Sequence, residues 1–128
     1  MEADIDPFTY QVKDDPYVFC AGDVRPMGFS KSGNTANSKG HVVARVIADR
    51  IQGKENKWKS PLTICYSAVA GDPLRAVSVN AGYSWNAKSK SFQFANASTM
   101  EKWKGQEGKN AGRGLIEWAS GMYRDMFM

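Results

Sequence analysis

The sequence predicts an α+β fold, and three observations carry that prediction. A helical apolar repeat with a start and a stop signal marks one long helix in the first half. Two apolar runs joined by Gly71-Asp72-Pro73 mark paired strands in the second half. A stripe formed by Leu115, Trp118, Met122 and Met126 marks a helix at the carboxy terminus. The expected order is a short strand ending in Gly-Asp, a long helix, a small antiparallel three-stranded sheet and a C-terminal helix. A domain boundary is expected at the Lys-rich linker, separating 1–60 from 61–128.

The polar start, with Asp4, Asp6, Asp14, Asp15 and Pro7, is expected to be irregular. Pro16 to Ala21 is apolar, aromatic and β-branched, and Pro16 and Gly22 bound it, which predicts a buried strand. A loop follows from Val24 to Ser32, with Pro26 and Gly28 inside it. The long helix is expected from the Ser32 to Thr35 region to about Gln52. Ser32, Asn34 and Thr35 are all able to cap it, and Gly53 is a natural stop. Its apolar face is read from Val43, Val46, Ile47, Arg50 and Ile51, widened by Val42 and Ala44. Gly40 in the interior costs about 1 kcal/mol relative to Ala, which suggests a neighbour packed close to the backbone.

Beyond the linker Lys54 to Pro61, strands are expected over Leu62 to Ala70 and Leu74 to Trp85. In the second, Arg75, Val77, Val79, Ala81 and Tyr83 alternate with smaller or polar residues. Ser91 to Ala95 is a third, short strand, joined by a hairpin at Asn86 to Lys90. Met100 to Gly114 reads as a polar, Gly-rich loop. Gly112 to Met128 reads as the last helix, with Trp118 in the core and Trp103 on a contact surface.

Composition narrows the function. The 128 residues are 42% hydrophobic and 23% charged, as in an ordinary soluble domain. Seventeen Lys and Arg against thirteen acids give a net charge of +4. Without a clustered basic stripe, no nucleic-acid partner is expected. No apolar run approaches the ~20 residues that span a bilayer, and no signal-like start is seen, so a soluble chain without membrane insertion is expected. The only histidine, His41, and the two cysteines, Cys20 and Cys65, make no metal-ligand cluster.

One constellation points to chemistry. A strand ending in Gly22-Asp23 places a tight turn and a carboxylate where α/β folds hold ligands, and that carboxylate can accept hydrogen bonds from ribityl or ribose hydroxyls. Soon after it, Ser32-Gly-Asn-Thr-Ala-Asn-Ser-Lys-Gly40 opens a helix with small side chains. Its unpaired amides and dipole suit negative charge on a ring lying against the backbone. The residues expected to face such a ligand are Gly22, Asp23, Val24, Lys31, Ser32, Gly33, Asn34, Thr35, Ala36 and Asn37. No catalytic and no metal-binding residue is expected in the chain.

The stretch Cys20-Ala-Gly-Asp-Val…Pro26-Met…Lys31-Ser-Gly-Asn-Thr-Ala-Asn-Ser-Lys-Gly40 resembles the second FAD-contacting motif of the two-dinucleotide-binding-domain flavoproteins. Within that superfamily it is most similar to the flavoprotein subunit of flavocytochrome c sulfide dehydrogenase. Pro61-Leu-Thr-Ile-Cys65-Tyr-Ser67 and the ending Met122-Tyr-Arg-Asp-Met-Phe127 resemble a strand and the last helix of that family. Asp4-Ile-Asp-Pro-Phe8 resembles the segment that leads into its Gly-Asp strand. The likeness is loose from Leu74 to Arg113.

The resemblance implies the carboxy-terminal portion of a periplasmic FAD enzyme that oxidises sulfide and passes electrons to a c-type cytochrome subunit. It implies that Asp23 holds the FAD ribityl chain and that Lys31 to Asn37 lie near the isoalloxazine ring. The implied partners are the cytochrome subunit and upstream FAD- and NAD-type domains. The family's redox cysteine pair has no counterpart in Cys20 or Cys65, and no GxGxxG occurs. The chain alone is therefore expected to be inactive and to hold FAD weakly or not at all. Two other readings stand beside this one. One is a non-catalytic docking module for an electron-transfer partner, using Trp85, Trp103, Trp118, Tyr123 and Phe127. The other is a fragment of a quinone-reducing relative.

Overall fold

The structure is a computed structural model that describes residues 3–24 and 28–128. Pro26 of the expected Val24 to Ser32 loop lies outside the described residues. In chain order the elements are a 3₁₀ turn, Gly22–Val24, then α1, Gly33–Ile51, and β1, Thr63–Gly71. After these come β2, Leu74–Asn86, β3, Ser91–Met100, and α2, Gln106–Phe127. The strands form one antiparallel sheet in the order β1-β2-β3. The α+β class and the order of helix, sheet and C-terminal helix follow the sequence. No helix among the described residues is long and apolar enough to cross a membrane.

The expected strand over Pro16 to Ala21 is a correction. That stretch makes only one isolated antiparallel bridge, Gln11 to Phe19, and Tyr17 is 85% exposed. Among the described residues it has no long partner strand. Its neighbour is the polar start, which folds back through a second bridge, Ile5 to Val12. There the Asp6 carboxylate accepts from the amides of Phe8 and Thr9, and Lys13 pairs with Asp4. The Lys13 ammonium is held above its usual pKa, first by its hydrogen bond to Asp4 and then by that carboxylate's charge.

The chain divides into two compact units, Met1–Thr63 with Gly82–Ala95, and Ile64–Ala81 with Asn96–Met128. The hairpin between β2 and β3 thus groups with the residues before the linker. Aromatic packing accounts for this. Phe29, Tyr83 and Phe92 form a buried cluster against which Phe8, Trp58 and Trp85 pack. Trp58 stacks on Phe92 at 4.9 Å, and Phe8 meets Trp85 edge-on at 5.0 Å. Gly28 is required here, because a Cβ on it would lie 2.9 Å from the Phe92 carbonyl oxygen. At the hairpin's tip the Asn86 side chain accepts from the amides of Lys88 and Ser89, and Lys90 takes a positive φ.

A second cluster in the first unit joins Tyr10, Val42 and Val46, with Phe19 and Val43 beside it. It shows which face α1 buries. The buried positions are Thr35, Lys39, Val42 and Val46, spaced by four, three and four residues. Of the expected face, Val46 and Val42 are buried and Val43 packs beside them, whereas Arg50 and Ile51 are exposed, Ile51 at 80%. Two polar residues, Thr35 and Lys39, extend the buried stripe toward the amino terminus, where apolar spacing does not read it. Gly40 is a further correction, since nothing lies within 4 Å of where its Cβ would be. Gly40→Ala is accordingly expected to stabilise the protein by about 1 kcal/mol through helix propensity, read as a higher urea midpoint.

In the second unit, α2 begins more than a turn before the expected start at Gly112 and takes in Gly108, Gly112 and Gly114. The Tyr66 ring lies 5.6 Å from that of Trp118, which is half-buried. Trp103 is 37% exposed. Further out on α2, Ile116, Tyr123, Met126 and Phe127 are exposed. β3 is longer than the expected Ser91 to Ala95, because Asn96 to Thr99, all exposed, and the half-buried Met100 continue it despite the positive φ of Asn96.

Candidate functional site

The first unit brings the two halves of the sequence motif together. Gly22 is buried at φ 76°, a left-handed conformation that glycine adopts without strain, and its absent side chain faces Ala36 Cβ at 3.6 Å. The 3₁₀ turn it opens therefore sits on the first turn of α1. Asp23 and Val24 follow on the exposed side of that turn. Lys31 and Gly33 are exposed, Ser32, Asn34, Ala36 and Asn37 are half-buried, and Thr35 is fully buried. The Gly22–Val24 turn and the start of α1 are thus neighbours, although the strand meant to present Asp23 is absent.

Ser32 caps α1 from an extended backbone, as its residue type predicts, and Gly53 follows the helix at φ 65°. The cap is one end of a hydroxyl chain. Ser32 Oγ lies 2.9 Å from Thr35 Oγ1, which lies 2.8 Å from Thr63 Oγ1. Thr63 Oγ1 meets the Tyr83 hydroxyl at 2.5 Å, and that hydroxyl accepts from the Ser30 amide at 2.9 Å. Thr35, Thr63 and Tyr83 are all buried.

The Ser30 amide donates to the Tyr83 hydroxyl. In each of the three hydroxyl pairs either oxygen can be the donor. Ser32 Oγ also accepts from the Thr35 amide at 3.3 Å.

Thr63, Tyr83, Ser30 and Lys39 are site-supporting residues that motif reading missed. Lys39 had a usable signal, since it shares the face of Thr35, Val42 and Val46. Tyr83 and Thr63 had none, because their role depends on bonds to Ser30 and Thr35, far away in sequence. Leu62 joins this wall through its amide, which donates to Ser38 Oγ at 2.9 Å. Cys20 and Cys65, each half-buried, are not in a disulfide.

No family model matches the chain, and no curated protein is similar to it.

Proposed function

We propose that this chain is the carboxy-terminal part of a periplasmic FAD-dependent sulfide dehydrogenase that delivers electrons to a c-type cytochrome subunit. The observation that carries this reading is the seating of the Gly22–Val24 turn on the capped start of α1. Gly22 lets the turn pack on Ala36, and the exposed Asp23 carboxylate beside it suits a polyol chain. Ser32 caps the helix start beside that turn.

FAD would supply the acceptor of sulfide's electrons. This chain's residues would do the binding. Asp23 would accept from the ribityl hydroxyls, and Lys31 to Asn37 would line the ring. The α1 amino terminus would favour negative charge on the pyrimidine side. The sequence contains neither a GxGxxG nor a matching cysteine pair. Binding and turnover on this reading therefore need the FAD- and NAD-type domains as partners.

The test mixes the chain with those domains and titrates FAD by fluorescence. Asp23→Ala is expected to weaken binding about 10–100-fold, the loss of a charge-assisted hydrogen bond, with the circular dichroism unchanged. Unaltered affinity would remove Asp23 from the site.

A second reading, a docking module, is favoured by the exposure of Tyr123 at 61% and Phe127 at 70% on α2. Retention of a c-type cytochrome at low salt, lost in Tyr123→Ser with Phe127→Ser, is the result it requires.

A further inference from the structure

Lys39 is the most deeply buried charged side chain among the described residues, at 1% exposure. Its ammonium donates to the Gly22 carbonyl at 3.1 Å and stands 5.1 Å from the centre of the Phe29 ring. Taking an ammonium out of water is costly, and a methionine would fill much the same volume without that cost. The charge is therefore placed where packing alone does not suffice. These two contacts, among those Lys39 makes, lie on either side of Asp23 and Val24 in the chain. Gly22 opens the turn that presents Asp23, and Phe29 belongs to the buried aromatic cluster with Tyr83 and Phe92.

The carbonyl contact is one that a hydrophobic side chain cannot replace. A buried carbonyl needs a donor. The ring contact adds attraction between the cation and the face of Phe29. Both contacts converge on one atom of α1, a single turn beyond Thr35. From there the helix grips the Asp23 turn and the aromatic cluster together.

We propose that Lys39 is the positioning residue of the Asp23 turn, holding Gly22 and Phe29 against α1 so that the turn is set before any ligand arrives. Only the identity of that ligand rests on the flavin reading above. The contact geometry does not.

Amide hydrogen exchange on the full chain, compared among wild type, Lys39→Met and Lys39→Arg, tests this. In Lys39→Met, exchange from Gly22 to Val24 and at Ser30 is expected to rise by about tenfold or more. The amides of Val42 to Val46 and of β2 should keep their wild-type rates. Lys39→Arg keeps a donor and a cation and should restore much of the protection. Equal rates in Lys39→Met and wild type would overturn the proposal. So would a uniform rise across α1 and the sheet, which marks a merely structural role. Should Lys39→Met fail to fold, Lys39→Gln gives the same comparison. With the flavin-domain partners and FAD added, Lys39→Met should bind about tenfold more weakly. If the wild type binds no FAD, the flavin reading fails while the exchange result stands. If FAD binds and exchange is unmoved, Lys39 is not the positioning residue.

Discussion

Gly108→Ala is expected to destabilise the protein by about 2–3 kcal/mol, although the substitution improves helix propensity by about 1 kcal/mol. The sign is decided by contact. A Cβ at Gly108 would stand 1.8 Å from the carbonyl oxygen of Trp103 and 2.6 Å from its Cα. Those are backbone atoms, so no rotamer change relieves the overlap. The loop that carries them is also held. Arg75 Nη1 donates to the carbonyls of Trp103, Lys104 and Gly105, at 3.2, 2.6 and 2.8 Å. Moving Trp103 away would stretch those bonds. Gly121 on the same helix supplies the control, since nothing lies within 4 Å of its missing Cβ. Gly121→Ala should therefore stabilise by about 1 kcal/mol. Urea unfolding of both variants reads the contrast. A stabilised Gly108→Ala would mean that α2 does not approach Trp103 this closely.

These glycines also show where sequence reading succeeded and where it failed. Ser32 and Gly53 bracket α1 because capping chemistry is local, and a local rule reads correctly from a single sequence. The Gly71-Asp72-Pro73 turn and the Asn86 to Lys90 hairpin read correctly for the same reason. The start of α2 was lost because Gly108 and Gly112 resemble loop formers. Their presence is explained by backbone that approaches from elsewhere in the chain, at Trp103 and at Leu74. Close approach was assigned instead to Gly40, which meets open space. The stretch before Gly22 has a strand's composition but makes only an isolated bridge, to Gln11, and a strand is defined by its partner. The candidate site divides in the same way. The cap, the turn glycine and Asp23 were legible as a motif. Tyr83, Thr63 and Lys39, which hold that motif in place, become visible only through contacts between residues distant in sequence.

Tyr83→Phe tests the support rather than the motif. The ring would keep its contacts with Phe29, at 4.4 Å, and Phe94, at 5.1 Å, so packing is preserved. The hydroxyl would be lost. The Ser30 amide would then lack its acceptor, and Thr63 Oγ1 would lose a partner in a site with 3% exposure. Orphaning groups in such surroundings costs about 1–3 kcal/mol, so a loss of about 2 kcal/mol is expected in urea unfolding. The shared Thr63 oxygen makes a sharper prediction. Thr35→Val removes the hydroxyl on the other side of Thr63. Because both variants act through that one oxygen, their effects should overlap, and the double variant should be about 1 kcal/mol more stable than the sum of the two losses implies. Strict additivity would show that the hydroxyls act as separate pairs. The Ser30 amide gives a local readout of the same event. Its exchange should accelerate in Tyr83→Phe and stay slow in Thr35→Val, because only the first removes the oxygen to which that amide donates.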